Sequence, residues 1–353
     1  MAAQTGKLAV VLFNLGGPDS LEAVRPFLFN LFNDAAIIGA PNPIRWLLAR
    51  FISGRRAPVA RAIYEKIGGK SPLLDLTRQQ AAALQQALAA ADPGSEVRCF
   101  IAMRYWHPLT EETVAEVAAW KPDRILLLPL YPHYAGPTTG SSLLAWNKAA
   151  RRAGLRVPTQ TVCCWPDEAG MIAAQADLLT KALAEAGQGA RVLFSAHGLP
   201  QAVIDKGDPY QAQIERTAAA VVAALGRPDL DWRICYQSRV GPMQWLKPST
   251  DDEIRRAGQE GKPLVVVPIA FVSEHSETLV ELDLEYGHLA KECGVPRYVR
   301  VPALGCHPAF IAGLADLARR ALATAVTPCS HLEGRLCAGD RSACPHQGPI
   351  LEN

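Results

Sequence analysis

Short, nearly uninterrupted apolar runs recur along this chain. They fall at Leu8–Asn14, Val97–Met103, Arg124–Leu130, Gln160–Cys164, Arg191–Ser195, Trp232–Cys235 and Leu264–Ala270. Between them lie segments with helical apolar spacing: Leu73–Ala91, Thr110–Trp120, Ser141–Ala153, Glu168–Ala186, Tyr210–Leu225, Thr250–Ala257 and Glu277–Ala290. A strand that is apolar on both faces belongs in a parallel sheet covered by helices on each side. The alternation therefore predicts a doubly wound α/β fold.

At 353 residues the chain exceeds one ordinary core. LFNLGGP near the start is echoed by LFSAHGLP at Leu193–Pro200, and DRILLLPLYP at Asp123–Pro132 by GKPLVVVPIAFV at Gly261–Val272. The echoes predict two similar open-sheet domains, residues 1–165 and 166–325, followed by a cysteine-containing tail, 326–353.

In such sheets ligands bind beyond the carboxyl ends of the strands. That rule selects Asn14–Pro18, Arg104–His107, Tyr131–Thr139, His197–Pro200, Gln237–Trp245 and Phe271–Glu281, all rich in polar, aromatic and glycine residues. His197 follows a buried run directly, which suits a proton acceptor; the alternative is a structural histidine bonded to a carbonyl. Glu277, Glu281 and Glu285 recur every four residues, so their carboxylates share a helix face that begins beside His275. Such a stripe is either a solvated face or a path for a divalent metal or protons. Tyr105, Trp106, Tyr131, Tyr134, Trp245 and Phe271 cluster in the same loops, as walls for a large flat apolar ligand would.

Composition narrows this picture without redirecting it. The chain is 49% apolar and 20% charged, with a net charge of +2. That is ordinary for a globular protein and too small a basic excess for one built to neutralise a nucleic-acid backbone. The charge is uneven, with eight Lys/Arg against two Asp/Glu between Arg25 and Lys70. Nine cysteines, an odd number, fit a reducing compartment better than a disulfide framework. The opening MAAQTGKLAVVLFNLGG reads as a first strand rather than a signal peptide, and no apolar run reaches the ~18 residues that span a bilayer. LGGPDS lacks the GxGxxG spacing, Tyr64 stands where a phosphate loop ending Gly69-Lys70-Ser71 needs glycine, and neither GxSxG nor HExxH occurs.

Seven blocks spread over about residues 8–310 carry a specific resemblance: LFNLGGPDS, IYEKIGGKSPL, MRYWHPLT, YPHYAGPTTGSSL, FSAHGLP, YQSRVGPMQWLKP and VPIAFVSEHSETLVELDLEY. Together they resemble ferrochelatases from end to end. The resemblance implies two Rossmann-like domains with a cleft between them. It implies a lyase-type enzyme that inserts Fe²⁺ into a free-base porphyrin, protoporphyrin IX giving protohaem, by bending the ring, removing pyrrole protons and inserting the metal. His197 matches the family's pyrrole proton acceptor or metal-side ligand. His275 and Glu277 match its His-x-Glu and Glu281 the next acid, with His197 and Glu277 as the residues that meet Fe²⁺. Glu274 stands where many members have aspartate. Arg104, Tyr105, Trp245 and Phe271 match residues near the porphyrin, and Leu15 lies in the loop lining the macrocycle.

The basic apolar segment 21–61 matches the lip over the active-site mouth, where Arg55 or Arg56 suits a propionate. Its Phe, Leu, Ile and Trp beside arginines are also those of an interfacial segment. A peripheral protein at the cytoplasmic face of a membrane is the expectation, with porphyrin and Fe²⁺ as partners, homodimerisation compatible and nucleic acid not expected. In the tail, Cys329, Cys337 and Cys344 resemble the three carboxy-terminal ligands of a [2Fe–2S] cluster found in some members. Their spacing is wider than in the animal enzymes, and Gly136 occupies the animal fourth-ligand position. Cys163 is the substitute, with Cys164 its alternative; zinc with His331 or His346, or idle thiols, stay open. Other readings are a chelatase for coproporphyrin or a corrinoid precursor, or a porphyrin or haem carrier that needs no proton acceptor.

Overall fold

A computed structural model describes residues 6–239, 243–332, 334–337, 339 and 341–346. In the first half the strands are β1 (Lys7–Asn14), β2 (Glu96–Met103), β3 (Arg124–Pro129) and β4 (Thr159–Cys164). In the second they are β5 (Arg191–His197), β6 (Trp232–Gln237), β7 (Leu264–Pro268) and β8 (Tyr298–Arg300), with β9 (Cys329–Ser330) in the tail. The chain divides into two compact units: residues 1–164, 315–336 and 345–353, and residues 165–314 and 337–344.

The first unit holds a parallel sheet of order β2-β1-β3-β4-β9. β1 is buried along its last six residues because Ala9, Val11 and Phe13 pack beneath Trp146 and Val114 while Val10 and Leu12 are buried too. The second unit holds a parallel sheet of order β6-β5-β7-β8. Leu193, Leu264 and Val266 pack there with Ile254, Leu282 and Tyr286. Relabelled from its own start, the second sheet repeats the 2-1-3-4 order of the first. The echoed segments fall on equivalent strands, β1 with β5 and β3 with β7.

All seven predicted strands are present, lengthened or shortened by a few residues. The predicted helix Glu277–Ala290 is two elements: a wide helix with i→i+5 hydrogen bonds, Glu277–Glu285, followed by an α-helix, Tyr286–Glu292. A second wide turn, Gly136–Gly140, opens the helix Ser141–Arg152. Segment 21–61 folds as Val24–Phe32 and most of a long helix, Ile44–Glu65. Among the described residues no helix is long and apolar enough to cross a membrane.

Candidate active site

In each unit the sheet order reverses at the first strand, where a crevice forms at the carboxyl ends. In the second unit that point is the end of β5. His197 is its last residue, and Gly198 follows because a Cβ there would come within 2.8 Å of the Gln237 carbonyl oxygen. The loop after β7 brings back Phe271, His275 and the start of the wide helix.

His197 Nδ1 lies 2.8 Å from Glu277 Oε2. Burial alone lowers an imidazole and raises a carboxyl, but each partner's charge and hydrogen bond outweigh it. His197 is therefore raised and Glu277 lowered from their ordinary values. An ionised carboxylate only accepts, so Nδ1 carries a proton, and Nε2 presents a lone pair once the ring is neutral. The His197 side chain is 41% exposed, which leaves that lone pair reachable.

His275 is in the opposite condition. Its ring is buried and stacks on Phe271 with centroids 5.9 Å apart. The Glu277 N–H points at its Nδ1 at 3.4 Å, which leaves the hydrogen on the buried Nε2. Burial first, and His197 as well, hold His275 below its usual value against the pull of Glu277, so it stays neutral. The pairing of His197 with Glu277 is close, whereas His275 lies buried at the helix start.

Ser238, just beyond β6, links the carboxylates. Its hydroxyl lies 3.0 Å from Glu277 Oε2 and 2.5 Å from Glu281 Oε2, and its N–H donates to Glu281 Oε1 at 2.8 Å. It does so from a left-handed backbone, φ 59°, which costs a non-glycine residue about 1–3 kcal/mol. Burial, then the charge of Glu277, raise Glu281. One carboxyl is thus driven down and its neighbour up, the usual sign of divided acid and base roles. Sequence reasoning missed Ser238, since nothing in its neighbours announces a left-handed serine. Trp245 packs against the Gly198 backbone. Residues 240–242 of the YQSRVGPMQWLKP block lie outside the described residues.

The first unit gathers a different centre. Asp34, nearly buried, accepts from Arg104 Nη2 (2.8 Å), the Tyr105 hydroxyl (2.9 Å), the Ala36 N–H (2.9 Å) and Ser141 Oγ. Arg104 Nε also donates to Ser141 Oγ at 2.6 Å. Burial would raise Asp34, but these donors together lower it. The Tyr105 ring is fully buried with Leu15, Val24 and Tyr64. Arg55 and Arg56 separate on their helix. Arg55 joins Arg25, Arg50, Leu47 and Phe51 around an open hollow of about 470 Å³, while Arg56 lies over the Phe32 ring.

The tail cysteines divide between the units. Cys329 lies on β9 beside β4, and Cys337 Sγ is 3.3 Å from Gln213 Nε2. A bulge in β4 places the Cys163 and Cys164 sulfurs 3.6 Å apart, both packed with Leu336. Among the described residues no three His, Cys, Asp or Glu side chains gather closely enough to hold a metal ion. Residues 333, 338, 340 and 347–353 of the tail lie outside the described residues.

A doubly wound protein with a strand-end histidine hydrogen-bonded to one carboxylate, itself linked through Ser238 to a second, is by class an α/β protein with a candidate acid–base site. The ferrochelatase family model matches residues 7–322. A ferrochelatase of Caulobacter vibrioides is 57% identical over 343 residues, covering 97% of this chain and 98% of that one. A ferrochelatase of Phenylobacterium zucineum is 58% identical over 319 residues, covering 90% and 92%. The chain belongs to the ferrochelatase family, and it is a metal chelatase enzyme with iron as the metal of its family's reaction. Among solved structures, SirB from Bacillus subtilis with Fe³⁺ superposes with a TM-score of 0.52 at 13% identity, covering 90% of this chain and 96% of that one, which speaks for the fold alone.

Proposed function

We propose that this enzyme inserts Fe²⁺ into protoporphyrin IX and that His197 is the base that takes the pyrrole protons. The observation that carries this is the continuous contact His197–Glu277–Ser238–Glu281. A free-base porphyrin surrenders two N–H protons as one dication enters, so the centre keeps its charge while the protons need somewhere to go. His197 Nε2 accepts a proton from a pyrrole nitrogen. Glu277 stabilises the imidazolium at 2.8 Å, and the Ser238 hydroxyl relays a proton by taking one from Glu277 as it gives its own to Glu281, whose raised value makes it the better proton holder. His275 orients Glu277 through its backbone N–H. Glu277 is also the carboxylate nearest to where Fe²⁺ would meet His197.

Trp245 and Phe271 in the second unit, and Leu15 and Arg104 in the first, are the macrocycle contacts in this reading. Arg55 at the hollow, or Arg56 over the Phe32 ring, suits a propionate. Pulling nitrogen lone pairs out of the ring plane is selective binding of the bent ring. The exposed Ile44, Trp46, Leu47 and Phe51 beside Arg25, Arg50 and Arg55 support peripheral contact with an anionic membrane, Phe51 being 67% exposed.

Anaerobic turnover with Fe²⁺, run with protoporphyrin and coproporphyrin side by side, tests the substrate. Faster use of coproporphyrin overturns the choice, and porphyrin binding with no insertion of metal makes the chain a carrier. A [2Fe–2S] cluster in the tail has the three tail cysteines as its support. Protein purified without oxygen either contains about two irons and two sulfides per chain or lacks the cluster.

A further inference from the structure

The wide helix bearing Glu277 and Glu281 is held from behind by one cation. Arg300 ends β8 with its side chain only 11% exposed. Its Nε and Nη2 donate to the two oxygens of Asp283 at 2.6 and 2.8 Å, and its Nη1 donates to both oxygens of Glu274 at 2.9 and 3.1 Å. Glu274 immediately precedes His275, and Asp283 lies two residues beyond Glu281. One guanidinium therefore ties the approach to the helix to its later turn and brackets both working carboxylates. Glu274 is fixed further by the Ala303 N–H at 3.0 Å and by the Thr278 hydroxyl, which also accepts the His275 N–H at 2.9 Å. A helix with i→i+5 bonds is rarely stable by itself and needs such outside support.

We infer that Arg300 is a positioning residue for metal insertion: through Glu274 and Asp283 it sets the seat of the wide helix, so that Glu277 stays at hydrogen-bond distance from His197 and Glu281 within reach of Ser238. This rests on the assignment of His197 and Glu277 to proton handling. Arg300 touches none of the reacting groups. Its planar fork meets one carboxylate with two nitrogens and the other with the third, a geometry that lysine cannot copy.

The full-length chain carries the test, as Arg300→Met, Arg300→Lys, Glu274→Gln and the Arg300→Met/Glu274→Gln double variant. Turnover at saturating porphyrin, KM for porphyrin and thermal melting are measured for each. Because small displacements of catalytic groups are costly, Arg300→Met should lower kcat at least about tenfold with KM for porphyrin within about twofold. Arg300→Lys should recover part of the loss, and the double variant should be no slower than Arg300→Met, since both changes undo one linkage. If Arg300→Met does not fold, Glu274→Gln, which removes charge at constant shape, should still lower kcat without raising KM. Wild-type kcat in either folded variant, or a raised KM with kcat intact, overturns the inference. Wild-type turnover by His197→Ala and Glu277→Gln would instead overturn the proton-handling assignment.

Discussion

The sheets β2-β1-β3-β4 and β6-β5-β7-β8 repeat one strand order, yet the polar groups at their carboxyl ends are in opposite condition. In the first unit β1 ends at Asn14, whose amide donates to Thr77 Oγ1 at 3.1 Å, and nearby Asp34 takes four donors. In the second, β5 ends at His197 with one nitrogen committed to Glu277 and the other carrying an open lone pair when the ring is neutral. The first centre has its carboxylate met by four donors; the second leaves one ring nitrogen of its histidine outside the carboxylate pair. The same topological position yields either, depending on whether its side chains are mutually saturated.

Changes at His197 and Glu277 should therefore cost turnover and a change at Asp34 should cost stability. The largest effect is expected for His197→Ala, which should slow metal insertion by about 10²–10⁴-fold, the usual contribution of a general base, while porphyrin quenching of protein fluorescence persists. Near-normal insertion rates would end the contrast. Next, Glu277→Gln should cut kcat by about 10–10²-fold and move its pH profile. A base must be unprotonated, so wild-type kcat rises as pH passes upward through the raised His197 value. Without the Glu277 charge that limb should shift to lower pH, and an unmoved limb would mean another group is titrating.

Asp34→Asn should destabilise the fold by about 1–3 kcal/mol in chemical denaturation, because Arg104 loses its charged acceptor. Asp34 is depressed in the folded state, so its contribution is present above the unfolded value of about 4 and lost as pH falls through the lower folded value. The variant should lack that part of the acid loss; an identical pH–stability curve would show that the centre is not a support. The smallest effect is expected for Ser238→Gly. It relieves a left-handed backbone and keeps the N–H bond to Glu281, so stability should hold or rise by about 1 kcal/mol while turnover falls severalfold.

Much of this was legible in the sequence because parallel strands are apolar on both faces, and such runs need no partner to be recognised. β8 and β9 escaped because three and two residues form no run. The candidate loops were legible from topology, and His197, Glu277 and Glu281 stand in them. The depth of each histidine was not, since 80 residues separate His197 from Glu277 and only folding decides which ring nitrogen meets the carboxylate. The wide helix was equally hidden: carboxylates every four residues suit 3.6 or 4.4 residues per turn. Arg300 carried no motif, for its meaning lies wholly in the two acids it joins.

The short strand β9 has a consequence for how the chain keeps to itself. β4 would otherwise be the outer strand of the first sheet, with its hydrogen-bonding groups open to any passing chain. Instead the Gln160 side chain donates to the Thr324 and Val326 carbonyls, and the Thr161 N–H donates to Thr327 Oγ1. Pro328, which has no N–H to offer, stands where the tail arrives. The tail thus works as a selvedge that finishes the sheet and keeps the adjacent Cys163 and Cys164 thiols out of solvent. A chain ending at Ala325 would have a sticky, oxidisable border, and its first loss would be solubility rather than catalysis.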